Sequence, residues 1–197
     1  MISVGIFAKP PYPELVKTRL IPDIGAQNAA RVYHYCLKHT IDVVQQSGLD
    51  YRFYLTETCE EILFQSADAV LQRGVDLGVR MFNAIHDMLA TDSDGAIIVG
   101  SDCLDLAPAH LLEAARSLTS NELALLPAMD GGYAMIGCTR IEAGLMQNIN
   151  WSSEQVLEQT LANAARLNYR VSLLETVRDV DTLQDVEQYP ELLALIR

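Results

Sequence analysis

Three groups of residues in this 197-residue chain have the types and spacing to handle a phosphorylated ligand. Lys17 and Arg19 follow an apolar run, Ile2 to Ala8, and a proline cluster at Pro10, Pro11 and Pro13. Prolines impose an extended, poorly hydrogen-bonded path, and in an extended segment residues two apart point the same way. Two cations side by side after a first strand suit a di- or triphosphate; the plainer alternative is a solvated basic loop. Asp102 directly follows a second apolar run, Ala96 to Gly100. A carboxylate there can hold Mg²⁺ or Mn²⁺ against a pyrophosphate, because hard cations take oxygens from a few carboxylates plus the substrate. Its alternative is a turn cap, although Pro108 already opens the next helix and leaves Asp102 unneeded for that. The third group is Asp130-Gly131-Gly132-Tyr133, joined by Asp179 and Asp181. Asp130 is ambiguous because turns commonly use Asp, and Asp181 reads equally as a second metal ligand or as a charge complementing a helix dipole.

A weaker group spans residues 72–81. Gln72 offers an amide donor and acceptor, and Gly74 and Gly78 either let the backbone approach a ligand or merely shape a turn. Arg80, with Lys9 and Arg73, falls near the loop ends. Cys36, Cys59, Cys103 and Cys138 are scattered without a Cys-x-x-Cys pair, and His34, His39, His86 and His110 lack zinc-like spacing, so reduced thiols and ordinary helix histidines are expected.

Alternating strand and helix signals must position these groups. Strands are expected at residues 2–8, 51–56, 70–72, 96–100, 123–128, 133–138 and 171–175. Helices are expected at 26–46, 59–66, 77–89 and 108–118. The spacing Ser152-x-x-Gln155 predicts a capping box for a helix reaching residue 167, and Thr182-x-x-Asp185 predicts one for a short helix, with a last helix after Pro190. Such alternation predicts an α/β fold, a mainly parallel twisted sheet with helices on both faces, whose ligands gather beyond the carboxyl ends of the strands. No repeat or flexible linker interrupts it, so residues 1–197 read as one domain.

Composition narrows the partners. Fourteen basic against twenty-six acidic residues give a net charge of −12, which opposes nucleic-acid or anionic-membrane binding but leaves room for a small phosphorylated ligand held by a local cation cluster. Met1 runs straight into an apolar strand without a basic start or small-residue cleavage site, which predicts a soluble cytoplasmic protein.

The motifs FAKPP…VKTRL, Q…DLG.RM, G(S)DC, PA.DGGY..IG, W(S)S..V…T and DVDT..D occur in this order from Ile6 to Asp185. Together they resemble the bacterial DUF2064 family, placed among nucleotide-diphospho-sugar transferases with a GT-A-like, Rossmann-like three-layer fold and linked in some members to arsenosugar biosynthesis. The resemblance implies a nucleotide base and ribose near Phe7, Ala8, Lys9, Gln72 and Gly78, with Arg80 in the same group, and phosphates at Lys17 and Arg19. It implies the first metal-binding Asp at Asp102, the transferred sugar and acceptor at Asp130, Gly131, Gly132 and Tyr133, and Asp181 completing the metal or acceptor side. The chain departs from the family pattern at Arg73, Val75, Leu104, Asp105, Leu126 and Met129; Asp105 adds a carboxylate to the expected crevice.

The leading expectation is a metal-dependent glycosyltransferase that takes a nucleotide-diphosphate sugar and an unidentified small acceptor. Mg²⁺ or Mn²⁺ and the two cations would meet charge growing on the departing diphosphate, and Asp130 would take the acceptor's proton. An alternative is a nucleotidyltransferase that releases pyrophosphate from a nucleoside triphosphate, since the Lys-Thr-Arg-Leu segment also resembles molybdenum-cofactor and phospholactate guanylyltransferases. A nucleotide-binding domain without turnover is the second alternative, motivated by the departures.

Overall fold

The apolar runs become the middle of a seven-stranded sheet in a computed structural model that describes residues 1–91 and 93–196. Strands β1 (Ile2–Ala8), β2 (Asp50–Leu55), β3 (Ala69–Leu71), β4 (Gly95–Val99), β5 (Leu123–Pro127), β6 (Tyr133–Cys138) and β7 (Val171–Leu173) lie in the order β3-β2-β1-β4-β6-β5-β7. Pairs β1/β2, β1/β4, β2/β3 and β5/β7 are parallel, and β6 runs against both β4 and β5. The sheet is therefore mixed, with β6 alone reversed. Reversal brings the start of β6 to the same rim as the ends of the other six strands.

β4 and β5 are buried along their whole length, as continuous apolar runs covered on both faces must be. The two-residue side-chain alternation sorts them between layers. Val4, Ile6, Ile97 and Val99 face one core with α1 (Ile21–Ser47) and α3 (Pro108–Ser117). Phe7, Ala96 and Ile98 face a second core with α2 (Leu77–Leu89) and α4 (Val156–Arg166). A third, smaller core joins Leu20, Val32 and Cys36 to Val180, Val186 of α5 (Leu183–Val186) and Leu192 of α6 (Pro190–Leu195). No described helix is long and apolar enough to cross a membrane.

Several boundaries differ from the sequence reading. α1 begins at Ile21, with proline in its first turn, and breaks at Gly25 (φ 78°, ψ 158°) before the long segment expected from residue 26. Residues 59–66 yield only a single tight turn at Ile62–Ser66. The capping box at Ser152 does not form. Ser152 adopts a left-handed conformation (φ 67°), the helix starts at Val156, and Ser153 Oγ instead receives the Gln155 N–H at 3.3 Å. The box at Thr182 does form: Thr182 Oγ1 receives the Asp185 N–H and Asp185 Oδ2 receives the Thr182 N–H.

Candidate active-site cleft

Lys17 does not lie on an extended segment. It is left-handed (φ 46°, ψ 44°), a strained choice for a non-glycine residue, and Thr18–Leu20 forms a tight helical turn directly after it. The two cations converge for a different reason than strand alternation. Leu20 and Val180 are both fully buried in the third core, which clamps the segment carrying Lys17 and Arg19 against the one carrying Asp181. The Val180 N–H donates to the Asp102 carbonyl at 2.9 Å, drawing in the loop after β4.

The outcome is a four-membered charge cluster at the sheet's carboxyl rim. Lys17 Nζ lies 2.8 Å from Asp102 Oδ1 and 3.1 Å from Asp181 Oδ1, and Arg19 Nη1 lies 3.3 Å from Asp181 Oδ2. The Lys17 side chain is 3% exposed, Asp102 45% and Arg19 62%. Burial alone lowers a lysine's pKa, but the charges of Asp102 and Asp181 outweigh it and raise Lys17 above the ordinary value. Asp102 Oδ1 is sealed from solvent with only the ammonium against it.

Two chambers open beside this cluster and share Phe7, Arg19, Leu77, Gly100, Ser152 and Asp181. The polar chamber, about 570 Å³, includes Ala8, Lys9, Lys17, Gln72, Arg80 and Asp102. The second, about 380 Å³, includes Asp130, Tyr133, Met81, Met135, Trp151 and Glu154. Residues that the sequence scattered over 170 positions thus line one cleft.

Gly78, Gly131 and Gly132 line neither chamber. A Cβ on Gly78 would sit 2.7 Å from the Trp151 ring, so this glycine lets α2 carry the indole that walls the second chamber. Gly131 has φ 86° and its missing Cβ leaves room for the Glu154 backbone, while its carbonyl receives the Leu157 N–H at 2.9 Å. The Gly132 N–H donates to Asp130 Oδ1 at 2.8 Å. Asp130 is therefore a turn residue and a chamber residue at once. Gln72 Nε2 donates to the Tyr54 carbonyl and Arg80 Nε to the Gly74 carbonyl, which fixes both side chains at the polar chamber's edge. The Tyr133 hydroxyl is sealed away without a hydrogen-bond partner, and burial raises its pKa, so the ring and not the oxygen serves the chamber. Burial and then the charge of Asp130 push the Asp179 carboxyl up to about 7.

Sequence reasoning missed Tyr33, whose helical spacing reads as core. Its hydroxyl receives the Lys9 N–H at 2.8 Å and lies 3.1 Å from Ser101 Oγ, stitching the end of β1 to the end of β4 inside the polar chamber. Asp105 does not enter the crevice. Its Oδ2 receives the Arg178 N–H and its Oδ1 the Tyr189 hydroxyl. The other departures also lie off the chambers: Arg73 pairs with Asp87, and Val75 and Met129 project into solvent. Burial pushes the Cys103 thiol up to about 12, which removes it as a nucleophile beside Asp102.

Among the described residues no three histidine, cysteine, aspartate or glutamate side chains gather closely enough to hold a metal by themselves. Asp102 and Asp181 nevertheless aim hard oxygens at one point, now filled by the Lys17 ammonium. Such a pair fits Mg²⁺ or Mn²⁺ when ligand phosphates complete the sphere, the usual arrangement for a cation that keeps few protein ligands.

The profile of DUF2064, described as an uncharacterized protein conserved in bacteria, matches residues 38–153, more than half of the chain. No curated protein sequence matches this chain. A crystal structure from Desulfovibrio desulfuricans G20, provisionally described as a nucleotide-diphospho-sugar transferase, shares 25% identity over 100% of this chain and 94% of that one, with a TM-score of 0.90. The manganese complex of Rv0371c from Mycobacterium tuberculosis H37Rv is 19% identical over 96% of this chain and 98% of its own, with a TM-score of 0.58. The 4-diphosphocytidyl-2C-methyl-D-erythritol synthase of Anaerococcus prevotii DSM 20548 is 11% identical over 98% of both, at 0.61. With its central segment matched to that profile and its α/β sheet matching a nucleotide-diphospho-sugar transferase neighbour over its full length, the chain belongs to the DUF2064 family.

Proposed function

We propose that this chain is a transferase of one catalytic domain, residues 1–197, that moves a sugar from a nucleotide-diphosphate sugar to a small hydroxyl-bearing acceptor. The observation that carries the reading is the convergence of Lys17 and Arg19 with Asp102 and Asp181 on a polar chamber at the sheet's carboxyl rim. The base and ribose belong along Phe7, Ala8, Lys9, Gln72 and Arg80, and the diphosphate beside Lys17 and Arg19. Asp102 and Asp181 would hold Mg²⁺ or Mn²⁺, which when bound supplies Lewis-acid neutralisation of the diphosphate.

The acceptor oxygen attacks the sugar's anomeric carbon, and the bond from that carbon to the diphosphate oxygen breaks. Its electron pair leaves on the nucleoside diphosphate, where the ammonium and guanidinium stabilise it, and the hydroxyl proton passes to Asp130. Asp130 Oδ1 is held by the Gly132 N–H, which fixes the carboxylate's orientation and leaves Oδ2 for that proton.

The fold shared with a synthase of a diphosphocytidyl compound favours a second reading, nucleotidyl transfer from a triphosphate with release of pyrophosphate. A thermal-shift panel of nucleoside diphosphates, nucleotide sugars and triphosphates, with and without Mn²⁺, followed by product analysis, separates the readings. Nucleoside diphosphate released from a nucleotide sugar supports glycosyl transfer, and pyrophosphate from a triphosphate supports the second. Stabilisation without consumption of any donor would leave a binding domain, and no stabilisation by any nucleotide would remove the diphosphate site.

A further inference from the structure

The second chamber has a chemistry unlike the first. Phe7, Met81, Ile98, Met135, Trp151 and Val156 supply its apolar lining, and its charged groups and serines, Arg19, Asp130, Ser152, Ser153, Glu154 and Asp181, all come from segments outside the strands. Little in this apolar lining is free to answer a hydroxyl. The Ala134 carbonyl already receives the Gly100 N–H at 2.9 Å, and the Tyr133 hydroxyl is sealed away from solvent. A polyhydroxylated ring pushed against this lining would lose water from several hydroxyls without replacement, at about 1–3 kcal/mol for each unsatisfied group. An apolar body gains there instead, at about 25 cal/mol per Å² of surface removed from water. At about 380 Å³ the chamber falls in the size range of small-molecule sites.

The chamber is also a built feature. Gly78 admits the Trp151 indole at a distance no side chain would allow, and the Glu154 backbone packs where a Cβ on Gly131 would stand. Both glycines, which the resemblance placed at ligand, shape this wall.

Resting on the transferase reading, we propose that the second chamber is the acceptor site and that the acceptor carries a compact apolar body, aromatic or branched aliphatic, beside its reactive hydroxyl. The apolar body packs among Met81, Met135 and Trp151, and the hydroxyl emerges at the rim near Asp130, facing the shared boundary with the polar chamber. Met81, Met135 and Trp151 are then specificity residues: they choose the acceptor and do not touch the diphosphate.

Trp151 is the chain's single tryptophan, so its emission reports on this chamber directly. The test titrates benzyl alcohol, one hydroxyl on an apolar ring, against glycerol, a small polyol with three hydroxyls and no apolar body. The expected result is a saturable change in Trp151 emission with benzyl alcohol and none with glycerol. Met81→Gln should weaken benzyl alcohol about tenfold, because the amide must lose water to the apolar lining, and Met81→Leu should retain it. Equal responses to the two alcohols, or no saturable response to benzyl alcohol, overturn the proposal.

Competition locates the site. Whichever of UDP, GDP, CDP or ADP stabilises the protein should bind together with benzyl alcohol. Displacement by the diphosphate assigns the chamber to the nucleotide, and displacement only by a nucleotide sugar assigns it to the donor's sugar; either overturns the acceptor role. A benzyl alcohol response in a protein that no nucleotide stabilises overturns the acceptor role through failure of the transferase reading, and is distinguished from failure of the chamber itself.

Discussion

Two corners of the same rim use the same residue types to opposite ends. In one, Asp102 and Asp181 share the Lys17 ammonium. In the other, three and four residues further along the same two segments, Asp105 and Asp185 share Arg178, through its N–H at 3.0 Å and its guanidinium at 3.5 Å. The second corner is saturated: Asp105 also receives the Tyr189 hydroxyl, and Asp185 receives the Asp181 and Thr182 N–H groups and the Thr182 hydroxyl. The first has no such supporting bonds on Asp102 and borders an open chamber. A carboxylate whose oxygens are all answered by backbone and hydroxyl donors closes a loop. One answered only by a lysine ammonium, beside an open chamber, keeps an oxygen for a ligand.

The difference breaks most sharply at Lys17. Lys17→Met with Arg19→Ala should weaken a nucleoside diphosphate by on the order of a hundredfold, since two charge-assisted hydrogen bonds contribute about 1.5–3 kcal/mol each. The free nucleoside should bind almost unchanged, and calorimetry of both ligands checks this. Gly78→Ala should lower stability by about 1–3 kcal/mol through overpacking against Trp151, read by thermal melting together with a shifted Trp151 emission. Asp102→Asn should keep the fold and remove the Mn²⁺-dependent part of diphosphate affinity, about tenfold in a titration with and without the ion. Asp105→Asn should do the reverse, leaving diphosphate affinity alone and costing about 1 kcal/mol of stability in denaturant melts.

The smallest effect concerns Asp179, between the two corners in sequence. Its folded carboxyl titrates at about 7, above its ordinary value of 3.8, so in that window the folded state holds a proton that the unfolded chain releases. Stability should therefore fall as pH rises from about 4 to about 7 and level off above, with Asp179→Asn flattening the slope. A slope unchanged in that variant would assign it to other groups.

Much of this was legible in the sequence because apolar runs and helical periodicity report burial directly. β1, α2 and β6 fall at Ile2–Ala8, Leu77–Leu89 and Tyr133–Cys138 as the pattern predicts. Ser152 was not legible, since a capping-box spacing carries no information about the left-handed backbone that Ser152 adopts. Lys17 and Arg19 were found by the wrong geometry: their convergence comes from Leu20 and Val180 meeting in a core assembled from distant segments. Tyr33 could not be separated from its buried helix neighbours, because its role depends on Lys9 and Ser101 arriving beside it. Asp105 reads as an added site carboxylate because the sequence does not show that Arg178 and Tyr189, more than seventy residues away, occupy it.

The most direct test of the proposal that Lys17 and Arg19 share a diphosphate in this cleft is calorimetric titration of UDP, GDP, CDP and ADP into the protein with and without Mn²⁺. Because Lys17 already fills the point between Asp102 and Asp181, Mn²⁺ alone should bind weakly, and at least one diphosphate should bind about tenfold more tightly in its presence. Absence of binding by every diphosphate, or an affinity indifferent both to Mn²⁺ and to loss of Lys17 and Arg19, would contradict it.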